Sequence, residues 1–314
     1  MKAIFTKNFK QLSKNDVGIA GGKGASLGEM THVGIPVPPG FVILASSFDK
    51  FLEETDLGVE IEATLKKVKA DKIHSVDRAS SKIRDLIHDA QFPKDIAEEI
   101  VKEFGKLKAE YVAVRSSATA EDSSVASWAG ELESYLNTNS KNLLENVKKC
   151  WSSLFTPRAI FYRIEKGLDK RKVSVAVVVQ KMIQSEISGI TFTVHPVTED
   201  RNQIVIEAGY GLGEAIVGGK VTPDTYIIDK KGMKFLDKNI SSQSMMIVRN
   251  SNGIKEIKVA KNIEEKQKFP DKKIIELAKM CIGIEKHYKK PQDIEWAFEK
   301  GKIYIVQSRP ITTL

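Results

Sequence analysis

Cysteine is nearly missing from this chain: Cys150 and Cys281 are the two present in 314 residues. Each lies in a separate helix-like segment with no second cysteine nearby. A disulfide framework or a cysteine-rich zinc site is therefore excluded on count alone, and both read as small buried apolar residues. Long apolar runs are also missing. The most apolar stretch, Val173 to Val179, is one strand's worth, far short of the roughly 20 residues a membrane-spanning helix needs. At the N-terminus Ala3-Ile4-Phe5 is broken at once by Thr6-Lys7-Asn8, leaving no signal-peptide core. The expectation is a cytoplasmic protein with no membrane partner. Aromatic residues are only 7%, and no basic run is interleaved with them, so the net charge of +8 does not read as a nucleic-acid surface. Between Lys255 and Lys290 lysines alternate with Glu and Asp, as on a solvated helix face. A polyphosphate ligand explains localised positive charge more economically.

What is present is a globular composition, 41% hydrophobic and 29% charged. At roughly 100–200 residues per domain, the length predicts two units or one two-lobed α/β unit. A glycine cluster precedes a short helix-like stretch, Ala25 to Met30. The turn-rich run Gly34 to Gly40 leads into a strand, Phe41 to Leu44. Pro93 to Leu107 carries Ile96, Ile100, Val101 and Phe104 at helical spacing. Tyr111 to Val114 reads as a short strand delivering a polar loop, Arg115 to Gly130. Leu143 to Leu154 is helical, and Pro157 opens the next helix. Val173 to Met182 reads as a strand buried on both faces. Beyond it, Gly189 to Val194, Gln203 to Glu207 and Tyr226 to Asp229 are strands, and Asp271 to Tyr288 is a helix. The chain closes with a hairpin, Asp293 to Phe298 and Ile303 to Gln307. A lobe boundary near Met182 divides residues 1–182 from residues 183–314.

Four clusters could hold a nucleotide. In Gly21-Gly22-Lys23-Gly24-Ala25-Ser26, glycines let backbone amides approach phosphate oxygens and Lys23 adds a point charge. The spacing is neither a Walker A motif nor a Rossmann fingerprint, and Gly209 to Gly213 misses the latter as well. Arg115-Ser116-Ser117-Ala118-Thr119 combines a guanidinium with three hydroxyls, a phosphate-friendly set. The stretch Glu207 to Gly219 offers Glu214 beside closely approaching backbone, a donor set for ribose hydroxyls. Taken singly, these three also fit a plain glycine turn, a capped loop and an ordinary strand end.

The fourth cluster is the hairpin. Strand alternation puts Asp293 and Glu295 on one face, as it does Gln307 and Arg309. For the two pairs to share a side, the register must match odd with odd residues. A two-residue turn at Lys300-Gly301 would separate them. The expectation is a three-residue loop, Glu299-Lys300-Gly301, with Gly301 left-handed, or an equivalent bulge. Hard oxygen donors of this kind bind magnesium carried by phosphates, and an arginine clamps phosphate. An ion pair on an exposed hairpin face is the plain alternative.

Together the clusters resemble the N-terminal nucleotide-binding domain shared by phosphoenolpyruvate synthases, pyruvate phosphate dikinases and rifampicin phosphotransferases. The resemblance rests on Gly21 to Leu27, Gly34 to Phe41, Val114 to Asp122, Ser188 to Thr193, Gly211 to Glu214 and Gln307 to Pro310. It covers nearly the whole chain. It implies an α/β (α+β) ATP-grasp fold, two lobes closing on ATP, with magnesium.

By the same resemblance Lys23 and Arg115 grip phosphates, with Ser117 and Thr119 among the nucleotide contacts. Gln180, Lys181, Met182 and Ile183 form the adenine-side hinge. Glu214 takes the ribose with Thr193 nearby. Glu295 and Gln307 hold magnesium, Asp293 supports them, and Arg309 clamps the transferred phosphoryl. Lys23, Arg115 and Arg309 are the expected catalytic set.

The reaction implied is attack of a histidine on the β-phosphorus of ATP, with AMP released. None of His32, His74, His88, His195 and His287 has the family's phosphohistidine context. The chain is thus expected to bind ATP and to need a swivelling phosphohistidine domain and a pyruvate-barrel domain, in trans or on a longer chain. A rifampicin phosphotransferase-like enzyme and a non-catalytic ATP sensor are the other readings.

Overall fold

The computed structural model describes residues 4–69, 72–119, 132–167, 174–251 and 253–312. The chain divides into two compact units, residues 1–29 with 39–182, and residues 30–38 with 183–314. Segment 30–38 therefore groups with the later part of the chain, although the reading by sequence order kept it with the first. Among the described residues no helix is long and apolar enough to cross a membrane.

Both units are mixed α/β. Elements of the first part of the chain are β1 (Thr6–Asn8), α1 (Val17–His32), β2 (Gly40–Ile43), α2 (Ala45–Glu54), α3 (Leu57–Leu65), α4 (Ile73–Asp89) and α5 (Lys94–Leu107). They continue as β3 (Val112–Ala118), β4 (Ser134–Thr138), α6 (Leu143–Ser152), α7 (Pro157–Glu165) and β5 (Val175–Lys181). The five strands form one antiparallel sheet in the order β1-β2-β5-β3-β4. Strand β5 is central and buried from Val175 to Gln180, as its β-branched run predicts. Phe48, Phe51 and Phe92 surround Trp151 at ring separations of 5.6, 5.0 and 5.1 Å, which anchors the helices on this sheet.

Two expectations change here. Helix α1 already begins at Val17, so the glycines lie inside it, and Gly21 breaks it with φ 68° and ψ 170°. Strand β3 runs on to Ala118, so Arg115 to Ala118 are strand residues, not the start of a loop. They look like a loop because they are polar. They hold a strand because β5 pairs with all of them and their hydroxyls find internal acceptors. Residues 120–130 of the expected loop, with Ala120, Glu121 and Asp122 of the motif, lie outside the described residues, as does Val173.

The remaining elements are β6 (Ile187–Phe192), β7 (Gln203–Tyr210), α8 (Glu214–Val217), β8 (Asp224–Asp229), β9 (Lys234–Asn239), β10 (Met245–Asn250), β11 (Gly253–Lys258), α9 (Asp271–Tyr288), β12 (Gln292–Glu299) and β13 (Lys302–Pro310). Six strands form an antiparallel sheet in the order β13-β12-β6-β7-β8-β9, and β10 and β11 form a separate hairpin. Helix α9 buries Ile274, Leu277, Ala278, Cys281 and Ile284, an i, i+3, i+4, i+7 stripe. On the sheet Phe269 stacks on Trp296 at 4.9 Å. The indole needs a glycine beneath it. A Cβ on Gly189 would sit 2.7 Å from the Trp296 ring and 1.8 Å from the Glu207 carbonyl oxygen. Cys150 and Cys281 are both buried and unbridged, and burial pushes each thiol up to about 12.

Gly283 lies on the exposed side of α9, and a Cβ there would meet nothing within 4 Å. Gly283→Ala is expected to stabilise the protein by about 0.5–1 kcal/mol, because alanine restricts the unfolded chain and favours helix. Chemical denaturation of the two proteins checks this; an equal or lower midpoint contradicts it.

Candidate functional site

In the first unit two motifs more than ninety positions apart are locked together. Ser117 Oγ donates to the Ala20 carbonyl oxygen at 2.9 Å and accepts from the Gly24 amide at 3.3 Å. A Cβ on Gly21 would lie 2.2 Å from that Oγ and 2.4 Å from the Ser117 carbonyl oxygen. Glycine is therefore required at position 21 twice over, by its positive φ and by the approach of β3. Arg115 and Ser117 alternate onto one face of β3, the face on which the glycine segment sits. Both Lys23 and Arg115 are partly exposed there.

Ser117 itself is fully buried. Its hydroxyl brackets the glycine turn rather than offering itself to a ligand, which corrects its expected place among the nucleotide contacts. Ser116 is likewise internal, bonded to the carbonyl oxygens of Glu133 and Cys150. The Thr119 hydroxyl donates to the Ser174 carbonyl oxygen at 3.0 Å, so it can serve a ligand only as an acceptor.

At the end of β5, the Lys181 amide donates to Pro39 and the Met182 amide to Tyr111, at 2.8 and 3.0 Å. Those two N–H groups are engaged, which narrows base reading in the expected hinge to the remaining amides and the carbonyls. The Gln180 side chain is 2% exposed, and its Nε2 has no partner among the described residues. A buried amide nitrogen without an acceptor costs about 1–3 kcal/mol, which an acceptor on a ligand would offset.

The second unit builds its part on the terminal hairpin. The turn has two residues, Lys300 and Gly301, with φ 49° and 81°, and Glu299 pairs with Lys302. The three-residue loop is thus not formed. The alternative device is present instead. Trp296 pairs with Ile305 and Glu295 with Gln307, so Val306 is an inserted residue and the register shifts there. Beyond the bulge odd residues face odd ones, Glu295 opposite Gln307 and Asp293 opposite Arg309. Directly opposed residues of an antiparallel pair share a face, so all four polar side chains converge while Ile294 and Trp296 stay buried.

Arg309 forks onto one oxygen of Asp293, with Nε at 2.9 Å and Nη2 at 2.6 Å. Burial pushes the Asp293 carboxyl above its usual range; Arg309 opposes that shift and Glu295 adds to it. The same face carries a carboxylate that sequence reasoning left without a role. Glu207 on β7 opposes Ile190, which opposes Glu295. Its carboxyl is raised by burial and then by Asp293. Only the sheet order could have revealed it.

Glu214 opens α8 in an exposed position. Thr193 is not near it. Thr193 follows the Phe192 end of β6, whereas Glu214 follows the Tyr210 end of β7, which pairs with Ile187. At about 3.3 Å per residue those ends are roughly 17 Å apart. Thr193 is also fully buried, its hydroxyl accepting from the Gln292 amide at 2.8 Å. It ties β6 to β12 and does not belong with Glu214. His195 caps a turn: its Nδ1 accepts from the amides of Val197 and Thr198, both at 3.2 Å.

Comparison with known proteins decides the family. Residues 17–314 match the model of the pyruvate phosphate dikinase AMP/ATP-binding domain. The chain belongs to this family. Within it, the chain is 48% identical over 312 residues to a probable phosphoenolpyruvate synthase of Methanocaldococcus jannaschii, covering 97% of this chain and 26% of that protein. It is 46% identical to the phosphoenolpyruvate synthase of Pyrococcus furiosus, covering 99% and 44%. With the rifampicin phosphotransferase of Bacillus cereus it shares 38% identity, covering 99% and 36%. This AMP/ATP-binding domain thus spans less than half the length of the relatives it matches.

The AMP/ATP-binding domain can be tested for a magnesium site by its donors. Among the described residues no group of three or more His, Cys, Asp and Glu could hold a metal ion unaided. Gln307, however, is 6% exposed with an Oε1 that has no partner among the described residues, and it stands opposite Glu295. One carboxylate and one buried carboxamide oxygen suit a hard cation that keeps several waters and takes its other ligands from phosphates. The residues fit. Asp293, expected to support them, is bound by Arg309 through one oxygen.

Proposed function

We propose that the chain is the ATP-handling domain of a phosphoenolpyruvate synthase-type dikinase acting in the cytoplasm, and that its residues serve a magnesium-bound ATP. The observation that carries this reading is the bulged hairpin, which sets Glu295 against the buried Gln307 one row from the Asp293–Arg309 pair. Lys23 and Arg115 would neutralise the triphosphate, Glu214 would accept from the ribose, and the amides and carbonyls near Ile183 would read the base. Glu295 and Gln307 would hold magnesium, which when bound stabilises negative charge on the phosphate oxygens.

In the reaction proposed, a histidine nitrogen of a separate swivelling domain attacks the β-phosphorus. The bond to the α-phosphate oxygen breaks, and AMP leaves with the electron pair. The terminal phosphate of the pyrophosphohistidine then passes to water, and the remaining phosphoryl passes to pyruvate in a further domain. Phosphoryl transfer asks little covalent chemistry of the ATP domain; positioned cations meet the spreading charge. No general base within this chain is needed. The rifampicin phosphotransferase relative supports a second reading, in which the same ATP chemistry charges a histidine that serves an antibiotic acceptor.

The test is the magnesium dependence of ATP binding by calorimetry. Wild type is expected to need magnesium, and Glu295→Ala to weaken binding by about tenfold or more, as loss of a metal contact does. Tight binding indifferent to magnesium and to Glu295→Ala would replace the catalytic reading with a sensing module.

A further inference from the structure

Glu207 lies in the cross-strand row Gln307–Glu295–Ile190–Glu207, built by β13, β12, β6 and β7. Opposed residues of neighbouring antiparallel strands share a face, so Glu207 points to the side where Glu295 and Gln307 stand. Its carboxylate is half-buried and makes no hydrogen bond or ion pair among the described residues. A half-buried carboxylate beside Asp293 meets like charge, which a bound cation and its water would relieve. Gln307 makes the same point from the other end of the row, since its buried Oε1 also has no protein partner among the described residues.

Two interstrand steps separate Glu207 from Glu295, about 10 Å between backbones. That spacing leaves room for water between the carboxylates, and the described residues hold no group of three ligands that could strip a cation of its water. Water on a divalent cation is a strengthened donor, and carboxylates commonly orient it.

We propose that Glu207 is a positioning residue for the divalent cation, accepting hydrogen bonds from its bound water; this rests on the ATP-site reading above. Glu207 sets how the hydrated ion sits against Glu295 and Gln307, without coordinating it. The opposite face of the sheet gives Glu207 no such role, because there Gly189 and Trp296 close the packing.

The test is a magnesium titration of a non-hydrolysable ATP analogue binding to wild type, Glu207→Gln and Glu295→Gln, with melting of each protein free of nucleotide. Glu207→Gln is expected to raise the magnesium midpoint by roughly tenfold, the usual effect of losing a partner behind a metal's ligands, without lowering the nucleotide-free melting temperature. A midpoint equal to that of wild type overturns the assignment. A lowered melting temperature without nucleotide also overturns it, because Glu207 would then belong to the packing. If wild type and Glu295→Gln both bind the analogue regardless of magnesium, the ATP-site reading itself fails. If those two respond as stated and Glu207→Gln matches wild type, only Glu207 is misassigned.

Discussion

Arg309→Lys is expected to slow AMP formation by about a thousandfold in the complete enzyme, while ATP affinity weakens by less than about tenfold; an arginine that meets transition-state charge typically contributes that much to rate. The geometry explains why lysine is not expected to substitute. Asp293 receives both Nε and Nη2 of the guanidinium, which fixes the plane of the fork. A lysine keeps the charge but cannot hold two parallel bonds in a set orientation. The Arg309 side chain is 40% exposed while that of Asp293 is 14% exposed, so the guanidinium is anchored along one edge and still meets solvent. A group so placed is expected to act where charge develops rather than where substrate simply rests. The split between rate and affinity is therefore the diagnostic quantity. Equal losses in kcat and in ATP binding would reassign Arg309 to ground-state binding. Asp293→Asn is expected to shift the same balance less, since it loosens the anchor and leaves the cation.

Much of this arrangement was legible in the residues, for reasons that differ by element. Helix α9 was legible because Ile274, Ala278 and Cys281 recur at helical spacing, and all three are buried. Strand β5 announced itself by valine content. Strands β9 and β11 did not, because they are exposed or half-buried throughout and carry lysine where a buried strand carries valine. Strand β3 was cut short for a related reason. Ser116 and Ser117 look like loop residues until their hydroxyls are matched with acceptors 34 and 97 positions away. Local pattern cannot see such a partner.

The hairpin is the instructive case for the site. Requiring four polar residues to share a face forced an odd register, and that constraint held although the expected turn did not. Lys300-Gly301 closes the tighter turn, and the correction enters at Val306. Thr193 failed for the opposite reason. The resemblance implied that it stands near Glu214, whereas β6 carries it to the far end of the sheet.

Lys268→Met is expected to destabilise the protein by about 3–5 kcal/mol, the range for removing one partner of a buried ion pair. Lys268 and Asp224 are both fully inaccessible at the side chain, with Nζ 2.8 Å from Oδ1. Asp224 is the hub of that region. Its carboxylate also accepts from the Tyr226 hydroxyl at 2.8 Å, the Ser241 amide at 3.0 Å and the Lys268 amide at 2.8 Å. Lys268 Nζ donates further to the Ser241 carbonyl oxygen. One ammonium thus joins the start of β8 to two stretches, at Ser241 and at Lys268, that bracket the β10–β11 hairpin. That hairpin in turn supports the expected ribose position, since the Leu212 amide donates to the Ile247 carbonyl oxygen at 2.8 Å. Methionine would fill the volume and leave a buried carboxylate without its cation, which isolates the electrostatic loss from cavity formation. Asp224→Asn combined with Lys268→Met removes both charges and is expected to lose less than the sum of the single changes. Chemical denaturation of the four proteins measures the coupling. Additive losses would mean that the two charges do not stabilise each other and that the hydrogen bonds alone hold the strap.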